Sequence, residues 1–212
     1  MRIAVLGNEK TKSLFSEKRI PAGVEILWCG SVKTLVATEA EVYFDFLFEN
    51  DKERFQVYSM RKGFPFFVNC VELSSSAIPA YLIRFNGWPG FFDRTLIEIA
   101  KTDEQQTKVV AAIFQKLEWK YKEVADLPGL VSARIVAAII NEAYFTVGDE
   151  ISTKEEIDIA MRLGTNYPFG PFEWAEKIGI SKVYSLLVEM NKNDELLSIA
   201  PALKDAALKV EN

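Results

Sequence analysis

"RIAVLGNEKTKSLF", residues 2–15, is the stretch on which the reading of the fold turns. Ile3-Ala4-Val5-Leu6 is a continuous apolar run that reads as a buried strand, and Gly7 closes it. A strand, a glycine and a helix-like segment open a nucleotide-type α/β domain. In a dinucleotide-binding turn, two more glycines follow, so that the backbone can approach a pyrophosphate at the helix N-terminus. Here the following residues are Asn8, Glu9, Lys10, Thr11 and Lys12, whose side chains would crowd phosphates. The opening therefore predicts the fold without its glycine turn.

The rest of the first half agrees. "VEILWCG" (24–30), "EVYFDFLFEN" (41–50), "FPFFVNCVEL" (64–73) and "AYLIRFNG" (80–87) are apolar runs separated by Gly, Ser, Pro or charged residues. Continuous rather than alternating hydrophobicity predicts strands covered on both faces, as in a parallel sheet. Helical linkers are expected around 9–18, 51–62 and 103–118. The last carries a capping box at Thr102 and Gln105, and a buried face of Val109, Val110, Ile113, Phe114 and Leu117. Strands alternating with helices define an α/β domain.

The second half reads as all-helical. Residues 127–150 are apolar round most of a helix, which places that helix centrally or in a subunit contact. In 152–164, Ser152 and Glu155 have capping-box spacing and Gly164 is a terminator; in 170–179, Pro171 takes a first-turn position and Gly179 the end. Ser181 is placed to cap the segment after it. The boundary falls near 121–129, which gives domains of 1–122 and 123–212.

Composition narrows the function. The 212 residues are 49% hydrophobic and 26% charged, with a net charge of −5, a balance that argues for a soluble globular chain and against nucleic acid. No segment is long and apolar enough to be read as a membrane span, and no leader pattern follows Met1, so a cytoplasmic protein is expected. Cys29 and Cys70 lie in apolar runs and read as buried thiols. The chain has no histidine. That excludes imidazole as a general base and every histidine-containing metal site, and no metal site is expected. Neither a nucleophile elbow nor a P-loop motif occurs.

Residues 126–180, "DLPGLVSARIVAAIINEAYFTVGDEISTKEEIDIAMRLGTNYPFGPFEWAEKIGI", carry a series of elements in order: D-x-PG, Arg134, NEA, Gly148, EEID-x-AM, G-x-x-x-P-x-GPFE and IG. This series closely resembles the C-terminal domain of 3-hydroxyacyl-CoA dehydrogenases. Upstream, "FEN" with Lys52, "LSSS" (73–76) and "FNGWPGFFDRTLIEI" (85–99) resemble the family's V-E-N-x-K, N-T-S-S and F-N-P…L-V-E-V segments. The resemblance implies a Rossmann-like N-terminal domain, shortened here. It also implies an all-α C-terminal domain of the 3-hydroxyacyl-CoA dehydrogenase / 6-phosphogluconate dehydrogenase type. The family's activity is NAD-dependent oxidation of a hydroxyl in fatty-acid β-oxidation, with a His–Glu pair handling the proton.

Carried over by position, the family's catalytic histidine falls near Ile83, its orienting glutamate on Glu98, its helical-domain asparagine on Ala133 and a catalytic serine on Ser75. An alkyl chain cannot relay a proton. At the cofactor end Gly7, Glu49 and Lys52 stand as vestiges, and the acid that would hold the ribose falls near Cys29. Glu98 is read either as a leftover catalytic acid or, preferably, as a carboxylate paired with Arg84 or Arg94. Ser74–Ser76 are either turn residues or donors to a thioester carbonyl. Trp88, Phe91 and Phe92 are read as filling an emptied cleft, with a new apolar ligand pocket as the other reading.

The leading expectation is a family member without dehydrogenase activity and without NAD. It would serve as a binder of an acyl-CoA-like ligand or as a regulatory partner, and form a homodimer through 127–190. The alternatives are an active dehydrogenase with rearranged catalytic groups, and a structural dimerisation module.

Overall fold

The computed structural model describes residues 1–100, 103–192 and 197–210. They form two compact units, Met1–Leu130 and Val131–Asn212.

The first unit is built on five parallel strands: β1 (Arg2–Leu6), β2 (Glu25–Cys29), β3 (Val42–Asp45), β4 (Phe66–Val68) and β5 (Leu82–Arg84). Their order across the sheet is β2-β1-β3-β4-β5. This is the doubly wound order 3-2-1-4-5-6 with its outermost strand removed and the rest renumbered. The order in which strands are added reverses between β1 and β3, where Leu6 lies beside Asp45.

Helices α1 (Glu9–Ser16), α2 (Val32–Ala37), α3 (Lys52–Tyr58) and α4 (Glu104–Leu117) cover both faces. On one face Phe44, Phe67 and Ile83 pack with Phe15 of α1 and with Val110, Ile113 and Phe114 of α4. On the other, Tyr43, Phe66 and Leu82 pack with Leu35 and Val36 of α2 and Tyr58 of α3. Neighbouring strand residues thus enter opposite cores, which is why the runs are continuously apolar.

Five details differ from the sequence reading. The strands are shorter than their apolar runs, because Phe46, Cys70, Phe85 and other flanking residues are buried outside the ladder. Six-residue α2, capped by Ser31, is too short to show a period. Strands β6 (Leu96–Ala100) and β7 (Lys120–Val124) form a separate parallel pair on either side of α4. Pairing of β7 with β6 carries the first unit to Leu130, beyond the boundary at 122. Finally, Thr102 lies outside the described residues; the α4 cap is Asp103, which accepts from Gln106 N at 2.8 Å.

In the second unit α5 (Ser132–Gly148) is central and packs against α6 (Lys154–Thr165), α7 (Pro171–Ile178), α8 (Ile180–Asn191) and α9 (Pro201–Val210). Buried Asn141 ties α5 to the segment before α9, donating to Ser198 O at 2.8 Å and accepting from Ala200 N at 2.9 Å. That gives the asparagine of NEA a structural role.

The caps move relative to the sequence reading. The α6 capping box is Thr153 with Glu156, since Ser152 lies one residue too early and instead donates its hydroxyl to Glu156. That helix continues through Gly164 and stops at Asn166, in the left-handed conformation (φ 56°). Ser181 lies inside α8, with its hydroxyl directed to Ala207 O at 3.4 Å, while Gly179 (φ 100°) joins α7 to α8.

Candidate functional site

The residues singled out in the first unit collect at the carboxyl ends of the parallel strands, where doubly wound sheets hold ligands. At β1 the turn is closed by its own side chains. Asn8 caps α1, accepting from Thr11 N at 3.1 Å, while Thr11 Oγ1 accepts from Asn8 N at 3.3 Å. This capping box takes up helix N-terminal donors that a phosphate would use. Gly7 has a packing reason: a Cβ there would lie 2.6 Å from the Thr11 methyl. At the end of β2, Cys29 is buried and lies 3.5 Å from the Thr38 hydroxyl.

At the end of β3 a buried polar cluster appears that the sequence reading missed. Arg54, on α3, reaches back to donate from Nη2 to Asp45 Oδ2 at 2.9 Å and to the Leu47 carbonyl at 2.6 Å. Its Nε donates to the Tyr58 hydroxyl at 2.8 Å, and its Nη1 to Glu49 at 3.0 Å. The Tyr58 hydroxyl donates to Asp45, which also accepts from Leu47 N at 2.8 Å. Burial pushes the Asp45 carboxyl above the ordinary range, against the pull of Arg54, and raises the Tyr58 hydroxyl well above its own. Glu49 is thus an ion-pair partner, and Lys52 is the exposed first residue of α3. The available signal was Asp45 itself, a lone acid inside the apolar run 42–48.

A second network lies past β4 and β5. Ser75 donates from its N–H (3.1 Å) and hydroxyl (3.0 Å) to Asp126 Oδ1. Arg84, fully buried, pairs with the same carboxylate and donates from Nε to Cys70 O at 2.9 Å. Arg84 therefore finds its carboxylate in the Asp of D-x-PG and not in Glu98, because Asp126 lies at the end of the β4 and β5 loops. Glu98, half-buried on β6, accepts from the Asn86 side chain at 3.4 Å. Asn69 fixes the next turn, accepting from Gly87 N at 2.8 Å and donating to Phe46 O at 3.2 Å.

Ile83, where the resemblance puts the histidine, is 2% exposed within β5. Trp88, Phe91 and Phe92 are all buried; Phe92 packs against Phe15, Phe46, Phe85 and Trp119 with ring centroids 4.8–6.0 Å apart. Aromatic rings fill this part of the first unit.

In the second unit Ala133 is fully buried on α5. The GPFE loop is structural: Asp158 of EEID accepts from Phe172 N at 2.8 Å and Glu173 N at 3.3 Å, capping α7 from α6. Glu173 returns to Gly170 N at 2.8 Å, and Pro171 needs no partner at the first helical position. Among the described residues no helix is long and apolar enough to cross a membrane, and no group of three metal-ligating side chains occurs.

Comparison with known proteins bears on this architecture. Residues 129–208 match the family model for the 3-hydroxyacyl-CoA dehydrogenase C-terminal domain. A 3-hydroxyadipyl-CoA dehydrogenase of Escherichia coli is 34% identical over 93 residues, 44% of this chain and 20% of that protein. A probable 3-hydroxybutyryl-CoA dehydrogenase of Bacillus subtilis is 36% identical over 95 residues, 43% and 33% of the respective chains. The matched stretch thus spans a third or less of these relatives. The crystal structure of (S)-3-hydroxybutyryl-CoA dehydrogenase from Ralstonia eutropha shares the fold, with a TM-score of 0.72 at 17% identity over 99% of this chain and 94% of that one.

Proposed function

We propose, from the match of residues 129–208 to the 3-hydroxyacyl-CoA dehydrogenase C-terminal domain, that the chain has kept that family's architecture without its hydride chemistry. In this reading it binds an acyl-CoA-like ligand or acts as a regulatory partner, as a dimer. The observation that carries the proposal is Ile83, a buried alkyl chain at the position of the family's proton relay, in a chain with no histidine to replace it. Three further features support it. The β1–α1 turn is capped by Asn8 and Thr11, Cys29 stands where the ribose acid would be, and Ser75 is held by Asp126. The Ser75 hydroxyl is spent on a carboxylate that Arg84 already pairs.

Association through 127–190 is part of the same reading. Ile135 on α5 is 51% exposed and Leu163 on α6 is 83% exposed. A groove of about 350 Å³ lined by Ala138, Ile139, Ile157 and Met161 lies between these helices. Burying that surface against a second copy is the favourable outcome for apolar side chains in water.

Calorimetric titration with NADH and, separately, with acetoacetyl-CoA tests the proposal. Heat from acetoacetyl-CoA alone is expected of a ligand binder, and silence from both of a partner protein. Saturable NADH binding with turnover refutes the reading. Sedimentation showing only monomer at micromolar concentration refutes the dimer.

A further inference from the structure

The strand edges of the first unit are not treated alike. β5 has three residues, and its outer side is met by β6 through the Phe85–Ile99 bridge and a bond from Asn86 N to Glu98 O at 3.0 Å. β7 carries Lys120 and Lys122, both exposed. Short strands and lysines are devices that keep an edge from pairing with another chain. β2, at the other end of the sheet, has neither: it is five residues long, EILWC, with a strand on one side only. Its one charge, Glu25, is paired within the chain to Arg2 at 3.3 Å. Glu25 N donates to Met1 O at 2.9 Å, and β2 runs in parallel register with β1. Alternate residues of a strand direct their N–H and C=O groups to opposite sides. Glu25, Leu27 and Cys29 therefore face β1, whereas Ile26 and Trp28 turn both groups outward. No backbone group of the described residues meets those outward groups. The Trp28 side chain is 37% exposed and is held in place by the Phe15 ring, centroids 5.2 Å apart.

We infer that this edge pairs with the β2 edge of a second copy, antiparallel about a two-fold axis at Leu27. In that register Ile26 lies opposite Trp28 of the second copy and Trp28 opposite its Ile26. The outward N–H groups of each strand then meet the outward carbonyls of the other, and none is left over. A register centred on Ile26 draws in Val24, whose N–H is already spent on Pro21 O at 3.1 Å; one centred on Trp28 draws in Gly30, beyond the strand. Each opposed pair joins an aromatic to a β-branched side chain, a favoured combination, and Glu25 falls opposite Cys29, so no like charges face each other. The contact lies wholly on the first unit and stands apart from the association proposed through 127–190.

Hydrogen exchange of the Ile26 and Trp28 amides, read by mass spectrometry on the full chain, tests the pairing. Between about 2 µM and about 200 µM protein their exchange is expected to slow roughly fivefold, because only the free edge exchanges. The Leu27 amide, directed to β1, serves as the control and is slow at both concentrations. Leu27 belongs to neither core cluster, so charged substitutions there leave the fold intact. Leu27→Lys and Leu27→Glu each set like charges opposite one another across the axis and should abolish the concentration dependence. An equal mixture of the two should restore it, since lysine then faces glutamate. If neither variant folds, the wild-type comparison still decides. Ile26 and Trp28 amides that exchange equally fast at both concentrations overturn the inference, even where the protein is a dimer through 127–190. Protection that Leu27→Lys leaves unchanged also overturns it, and assigns the edge to another occupant.

Discussion

Gly170→Ala should be among the more damaging small substitutions in the helical unit, for a reason unrelated to backbone conformation. Gly170 has φ −71°, which any residue adopts. A Cβ at this position would overlap the Asp158 side chain, including its own Cβ as well as its carboxylate. Rotating the carboxylate away cannot relieve a Cβ–Cβ overlap, so α6 and α7 must part. The Asp158 cap on Phe172 N and Glu173 N is then lost.

Losing a charged cap costs about 2 kcal/mol, and forcing a methyl into a filled contact adds about 1–3 kcal/mol. Gly170→Ala is therefore expected to destabilise by about 3–5 kcal/mol. Asp158→Ala, which loses the cap but keeps the Cβ, should cost about 2 kcal/mol. In an Asp158→Gly background both the carboxylate and the Cβ are gone. Adding Gly170→Ala there should cost no more than about 1 kcal/mol, the difference between Gly and Ala at an N-cap. Urea unfolding of the four members of the cycle measures the coupling, expected at about 2–4 kcal/mol. Equal cost of Gly170→Ala in both backgrounds would refute the argument, because the clash would then not be with Asp158.

Two buried thiols and one capping carboxylate give further outcomes. Burial pushes the Cys70 thiol up to about 11, and both Cys70 and Cys29 are buried. Neither should react with a thiol reagent at pH 7.5 in the native protein, and two should react after unfolding; rapid native labelling would contradict the packing of β2 and β4. Hydrogen bonds from Ser152 and from the Thr153 backbone hold the Glu156 carboxyl below the ordinary range. A depressed carboxyl stabilises the fold above its unfolded pKa and loses that contribution as pH falls through the folded value. Glu156→Gln should therefore flatten the acid limb of the stability profile below about pH 4.5, and a profile parallel to wild type would count against the capping box.

The two layers of the candidate site were legible to different degrees. Ile83, Ala133 and the side chains after Gly7 could be read because they are absences at fixed places in a pattern, and absence needs no geometry. Glu49 and Ser75 were named from the pattern, but their partners were not. Arg54 lies 5 residues from Glu49 and 9 from Asp45, while Asp126 lies 51 from Ser75 and 42 from Arg84. Loop closure over such separations leaves no local trace when either partner is an ordinary charged residue. Glu98 had Arg84 or Arg94 predicted for it, since a buried carboxylate needs a partner; that Arg84 instead meets Asp126 was a matter of where the 125–130 segment crosses the strand ends.

The sequence by itself determined the doubly covered parallel sheet, the helical second half, and the missing imidazole and glycines, because each is written in residue type, period or spacing. Tertiary structure alone decided the strand order, the β6–β7 pair, the division at Leu130 and the charge pairing at Arg54 and Arg84. These depend on which distant segments meet in a desolvated interior, where a charge must find a partner and the chain's path decides which one is within reach.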